Sequence, residues 1–253
     1  MLKFLGTGSA FNTQMGNTSA YIKQNDTLLL LDCGESVFSR IKETNLLDDV
    51  NRVYIVITHA HSDHIGSLGS LVEYLTIIKQ ITPNFVLAND DSAEQQEKEL
   101  NEYLAKMGIA EDDFEFVYGD MMEEVLQDLD KINLVKVSHS KRLTSYAVEL
   151  CFKDKTIYYT GDQKDLAYLK AIAKKLKPQD VVYTDCSIKA YPNSIHVTFD
   201  ELEKVFAEEK RQQVVCMHFE SYEACKQAKS RGFGVAVREL SIEELLKQIA
   251  SRK

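Results

Sequence analysis

Ile57-Thr-His-Ala-His-Ser-Asp-His-Ile-Gly66, read as ITHAHSDHIG, follows directly on the apolar run Val53-Tyr-Ile-Val and decides the reading of the chain. It gathers three of the six histidines of the protein, with one aspartate, into six positions. A β-branched run of this kind predicts a strand. A loop at a strand end lets His59, His61, Asp63 and His64 fan out around a common point, as metal ligation requires of imidazoles and carboxylates. On an extended segment His59 and His61 point the same way, and a turn at Asp63-His64 aims a second pair at a neighbouring point. The alternative is a polar loop whose histidines cap a following helix. Four ligand-type side chains in six positions favour the cage.

The other ligand-capable residues repeat the pattern. His139 follows a strand-like run at 134–138, Asp162 follows 156–160 with Gly161 between, and His218 follows 213–217. Strand ends along one sheet edge are where open α/β architectures place their chemistry. Further strands are predicted at 2–5, 19–23, 27–31, 53–57, 85–88, 114–118, 145–152 and 181–184. Helical spacing marks 36–44, 68–80, 93–106, 164–176, 199–210, 222–232 and 242–249. Leu68, Leu71, Val72, Leu75 and Ile78 are expected on the core face of the second of these helices. Two mixed sheets packed together with helices outside satisfy this order, an α/β (α+β) layered fold.

The order H-x-H-x-D-H, isolated His, T-G-D, isolated His resembles the metallo-β-lactamase fold, an αββα sandwich with a dinuclear metal centre, and the resemblance covers nearly the whole chain. It implies one metal held by His59, His61 and His139, a second by Asp63, His64 and His218, and Asp162 as the bridge. Zinc suits the nitrogen and carboxylate donors, with manganese or iron as alternatives. Within that fold, MLKFLGTGSAF (1–11), NTSAYI with LLLLDCGE (17–35) and TDCSIKAYPNSIHVTF (184–199) resemble the ribonuclease Z-like phosphodiesterase branch. There an additional histidine acts near the leaving group, and His196 stands at that place. The resemblance implies two divalent ions acting on a phosphodiester, with Asp63 orienting the attacking water and His196 protonating the leaving oxygen.

Ribonuclease Z carries a long arm between its third and fourth motifs that grips transfer RNA. From His139 to Asp162 this chain advances 23 residues, which leaves no room for one. The chain is therefore more similar to arm-less cyclic phosphodiesterases such as the phage-associated anti-Pycsar enzymes, which open cyclic mononucleotides and erase an antiviral signal. Transfer RNA 3′ processing is the alternative, and a non-catalytic metal-stabilised binding protein a minor one. A small nucleotide calls for a pocket with a stacking surface, for which Tyr191, Phe219 and Tyr222 are candidates. Members of this branch are commonly homodimers.

The wider composition fits. At 253 residues and 44% apolar the chain can bury a sizeable core. Three prolines and no repeat or low-complexity tract mark no linker, so one domain over 1–253 is expected. Five scattered cysteines without C-x-x-C indicate neither a disulfide framework nor a thiolate finger, but a reducing compartment. With neither a signal-peptide pattern nor an eighteen-residue apolar run, the cytoplasm is expected and a membrane is not. The net charge of −9 opposes a broad nucleic-acid surface. Fifteen acidic residues against two lysines between Asp90 and Asp130 account for it, and the rest of the chain is mildly positive. Gly6-x-Gly8 is read as a tight turn bringing backbone near the site, and Asp32 as a support for a metal ligand.

Overall fold

The computed structural model describes residues 1–120, 125–190, 194–240 and 244. Two six-stranded sheets form its centre. The first comprises β1 (Lys3–Gly6), β2 (Ser19–Gln24), β3 (Thr27–Leu31), β4 (Arg52–Val56), β5 (Asn84–Leu87) and β6 (Glu115–Tyr118), in that spatial order. The second comprises β7 (Leu129–Lys136), β8 (Tyr146–Phe152), β9 (Thr156–Tyr159), β10 (Val181–Asp185), β11 (Val214–Met217) and β12 (Gly234–Val235), again in chain order across the sheet. In each sheet the first three strands pair antiparallel and the later pairings are parallel. The topology therefore repeats although the sequence does not.

Period-two alternation explains how the sheets face each other. Leu29 and Leu31 of β3, Val56 and Val86 meet Ile132, Leu134, Val148, Leu150 and Tyr159 of the second sheet in one core. Leu28 and Leu30, on the opposite face of β3, pack under α1 (Val37–Glu43), α3 (Leu68–Glu73) and α4 (Ala93–Lys106). On the far side, Val182, Val214 and Cys216 pack under α5 (Leu166–Lys175), α6 (Phe199–Val205) and α7 (Tyr222–Ser230). The αββα sandwich expected from the sequence is the observed fold. Among the described residues no helix is long and apolar enough to cross a membrane. The hairpin from β8 to β9 closes through Phe152 N–H donating to the Lys155 carbonyl at 2.8 Å, so no arm intervenes.

Several expected elements differ. The helix at 68–80 is α3 followed by a π-helical stretch, Tyr74–Lys79. The wider turn rotates Ile78 off the core face: Leu75 is buried, whereas Ile78 is 62% exposed. Strand β7 starts five residues earlier than expected, because Asp130 and Lys131 sit at a register shift and mask the alternation. A single turn, α2 (Ser62–Ile65), had no periodic signal, and two-residue β12 was too short to predict. The expected helix 242–249 lies, apart from residue 244, outside the described residues.

Candidate metal centre

The strand ends bring the candidate ligands together. His59 follows β4; His61 sits at the N-terminus of α2, whose first turn carries Asp63 and His64. Strand β7 delivers His139, β9 delivers Asp162 through Gly161 (φ 58°), and β11 delivers His218. Two clusters result, His59 with His61 and His139, and Asp63 with His64, Asp162 and His218, and a third group, His139 with Asp162 and His196, overlaps both. His59 Nε2 and His139 Nε2 lie 2.9 and 3.2 Å from His61 Nδ1. His218 Nε2 lies 3.1 Å from both Asp63 Oδ2 and Asp162 Oδ2, and His64 Nε2 lies 3.4 Å from each. Donors about 2.0–2.1 Å from a shared tetrahedral ion stand roughly 3.3–3.4 Å apart, which these separations approach. His64 Nε2 and Asp162 Oδ1 are buried without hydrogen-bond partners, an arrangement costing about 1–3 kcal/mol per atom unless a cation engages them. The donor set thus fits divalent metal.

Protonation follows the same design. Burial holds His59 well below the ordinary imidazole value, lowers His61, and brings His139 down to about 4. Burial alone would raise Asp63 and Asp162, but the His218 hydrogen bond to Asp63 and the charge of His218 and His64 outweigh it and keep both carboxylates ionised. Neutral imidazoles and ionised carboxylates are the metal-binding forms. His64 differs: despite its burial, Asp162 and Asp32 hold it protonated well above the ordinary range. The carboxylates demand positive charge at that point, and a metal ion is the other means of supplying it.

Groups behind the ligands fix which ring nitrogen faces inward. His64 Nδ1–H donates to Asp32 (2.9 Å), His59 Nδ1–H to Thr58 Oγ1 (3.1 Å) and His139 Nδ1–H to the Ile195 carbonyl (3.0 Å), leaving each Nε2 for the centre. Asp32, fully buried with φ 64°, also accepts from Thr58 N–H (2.7 Å), Thr58 Oγ1 (3.0 Å) and Tyr159 Oη (3.1 Å). Asp32→Ala is expected to weaken metal affinity roughly 10–100-fold and to lower the melting temperature, read by competition with a chromophoric chelator and by thermal melts. Native affinity in the variant would show that His64 holds its orientation unaided.

His218 occupies the left-handed region at φ 57°, which costs a residue with a Cβ about 1–2 kcal/mol. The glycine turn near the N-terminus holds it there: Phe219 N–H donates to the Thr7 carbonyl (2.8 Å) and Ser9 N–H to the Phe219 carbonyl (3.0 Å). A Cβ on Gly6 would lie 2.2 Å from the Asn17 carbonyl oxygen and one on Gly8 2.7 Å from that of Asn12. The turn therefore needs glycine for close approach to the carbonyls of its own N-terminal segment.

His196 stands beside the clusters, its ring 5.1 Å from that of His218 and 5.3 Å from that of His139. Its Nδ1–H donates to Asp185 Oδ2 at 2.9 Å. Burial opposes the imidazolium, but the Asp185 hydrogen bond with Asp162 and Asp63 outweighs it and holds the pKa up at about 9. A capping box secures the backbone two residues on, Thr198 N–H donating to Glu201 Oε2 (2.8 Å), and Lys164 Nζ donates to both the His196 carbonyl (2.9 Å) and Glu201 (2.7 Å). Asp185 had no sequence signal beyond ending a strand.

A cavity of about 540 Å³ opens over this edge, and its lining includes His61, Asp63, Asp162, His196 and His218 together with Phe11 and Glu220. Two of the three expected stacking residues, Phe219 and Tyr222, do not line it. The Phe219 ring is fully buried with Phe199 and Phe233 in the outer core of the second sheet: after the left-handed His218 the next side chain turns inward. Tyr222 is exposed on α7 and does not line the cavity, and Tyr191 lies outside the described residues.

The comparisons agree with this geometry. Residues 1–240 match the family anti-Pycsar protein Apyc1. A relative of that name from Bacillus phage 010DV004 is 27% identical over 238 residues, 86% of this chain and 88% of its own. Another, from Paenibacillus xerothermodurans, is 26% identical over 232 residues, 87% of each. The metallo-β-lactamase fold protein YhfI from Bacillus subtilis superposes over 95% of this chain and 96% of its own, with TM-score 0.68 and 18% identity. Human short-form tRNase Z does so over 95% and 98%, with TM-score 0.65 and 16% identity, and at such identities the solved structures speak for the fold alone. The histidines and aspartates clustered at the strand ends, the sandwich that aligns them and the match over residues 1–240 together make this chain a metal-dependent hydrolase that belongs to the anti-Pycsar protein Apyc1 family.

Proposed function

We propose that the protein is a phosphodiesterase opening a small cyclic nucleotide, and that it thereby counters a cyclic-nucleotide antiviral signal of the kind the family name denotes. The carrying observation is the Asp185–His196 pair at 2.9 Å, set beside both ligand clusters within one cavity. His59, His61 and His139 would hold one ion, Asp63, His64 and His218 a second, with Asp162 shared. The nitrogen-rich donors favour zinc, with manganese second. When bound, the ions supply Lewis acidity, drawing charge from phosphoryl oxygens and making water more acidic.

The chain's own residues do the rest. Asp63, which lines the cavity and stays ionised, orients the attacking water toward phosphorus. His196 presents the nitrogen not bound to Asp185 to the leaving oxygen and donates a proton there, while Asp185 holds the ring and stabilises its protonated form. The cavity, within the roughly 300–1,000 Å³ usual for small ligands, encloses the substrate. The missing arm and the net charge of −9 disfavour a structured RNA.

The test is a panel of cyclic mononucleotides and a precursor transfer RNA offered to metal-loaded protein, with His196→Ala alongside. Cyclic nucleotides should be opened, and cleavage of the RNA alone would favour the transfer RNA reading instead. His196 acts while protonated, so native activity should fall as pH rises through its pKa; neighbouring cations place that limb below about 9. His196→Ala should lose roughly 10²–10⁴-fold in kcat together with the alkaline limb. A limb unchanged in the variant would remove His196 from the acid role.

A further inference from the structure

The lip of the cavity, formed by Ser9, Ala10 and Phe11, takes no part in the chemistry above. Phe11 is 97% exposed. Fully burying such a ring gains about 1.5–3 kcal/mol, so packing within this chain does not explain its place. Nor is its backbone loose. Ser9 N–H and Asn12 Nδ2 both donate to the Phe219 carbonyl (3.0 and 2.9 Å), Asn12 N–H to the Ser9 carbonyl (3.0 Å), and Met15 N–H to the Asn12 carbonyl (3.2 Å). The turn carrying the ring is pinned to the residue following His218, which sets Phe11 at a fixed place relative to the metal-binding floor.

We infer that Phe11 is the stacking platform for the nucleobase, an inference that rests on the cyclic-nucleotide reading of the same site. A cyclic nucleotide has one anionic end and one flat, weakly polar end. One cavity offers partners for both ends: His61, Asp63, Asp162, His196 and His218 line it, and so do Phe11 and Ile195. A phenylalanine fixed by its turn contributes stacking area with only two side-chain torsions to restrict. Every base has a π-face, so the platform confers affinity for nucleotides as a class, with purines gaining more than pyrimidines through their larger rings. Selection among bases then falls to the polar wall groups Ser187, Ser194 and Glu220.

Loss of one base–aromatic stack costs about 1–3 kcal/mol, or roughly 5- to 150-fold. In metal-loaded protein, Phe11→Ala should raise KM for cyclic nucleotides by that factor with kcat within about twofold, and Phe11→Tyr should restore it. The native-to-variant ratio of kcat/KM should collapse toward unity on base-free ribose 3′,5′-cyclic phosphate. The chain contains no tryptophan, so Phe11→Trp installs a sole fluorophore. Its emission should be quenched on titration with a hydrolysis-resistant cyclic nucleotide phosphorothioate. An unchanged KM in Phe11→Ala, an equal loss on the base-free substrate, or a Trp emission that responds to protein concentration but not to nucleotide would overturn the assignment. If native protein opens no cyclic nucleotide, the functional reading fails, and the fluorescence titration still decides whether the ring stacks on a base.

Discussion

Asp162→Ala is expected to lower kcat/KM by at least about a thousandfold, some 4 kcal/mol of transition-state stabilisation, and to abolish the thermal stabilisation that metal confers. Asp162 Oδ2 stands 3.1 Å from His218 Nε2, 3.4 Å from His64 Nε2 and 4.0 Å from His139 Nε2, so this side chain belongs to one cluster and reaches toward a member of the other, the place a shared ligand would take. Its Oδ1 is buried without a partner. Metal at a thousandfold excess over its Kd adds about 4 kcal/mol to folding stability. For a chain of this size that is a rise in Tm of roughly 10 °C, at 2–4 °C per kcal/mol. Thermal melts with and without added zinc, beside hydrolysis rates, make the comparison. A variant that keeps the native metal-linked rise would show that Asp162 is not a shared ligand.

Gly34→Ala should reduce kcat roughly a hundredfold from outside the ligand set. A Cβ built on Gly34 lies 1.9 Å from the Asp63 carbonyl oxygen and 2.5 Å from its carbon, whereas real Cβ atoms do not approach within 3.0 Å. Cys33 N–H also donates to the His64 carbonyl at 2.7 Å, so the loop after β3 is fastened to the turn bearing two ligands. The Asp63 peptide must retreat by about an ångström, and displacement on that scale costs about 10² in rate. Circular dichroism separates this from unfolding. A folded variant within twofold of native would mean that α2 relaxes without moving Asp63.

The clustering of the candidate ligands was legible because metal-binding chemistry restricts residue type and because His59, His139, Asp162 and His218 each come shortly after an apolar run. Asp185 was not, since an aspartate ending a strand is ordinary, and only the fold brings it against a histidine eleven positions on. Phe219 was misjudged for a related reason. Adjacency to His218 says nothing of direction, and the positive φ of that histidine sends the next ring into the core. Phe11 escaped notice because its loop was read for glycines that permit close approach, while a protruding side chain leaves no periodic trace. The strands were legible from β-branched runs except where charge interrupted alternation, as at Asp130 and Lys131. Ile78 failed because a helical wheel assumes 3.6 residues per turn, and the π-helical stretch departs from it.

The strand order laid down twice has a consequence for how the centre comes into being. The first six strands carry Asp32, His59, His61, Asp63 and His64; the second six carry His139, Asp162, Asp185, His196 and His218. Each half thus brings an open jaw, and each ligand cluster closes only when the jaws meet across the shared core. A bound ion would work as a rivet through that seam, and its capture would certify that the two sheets have mated in register.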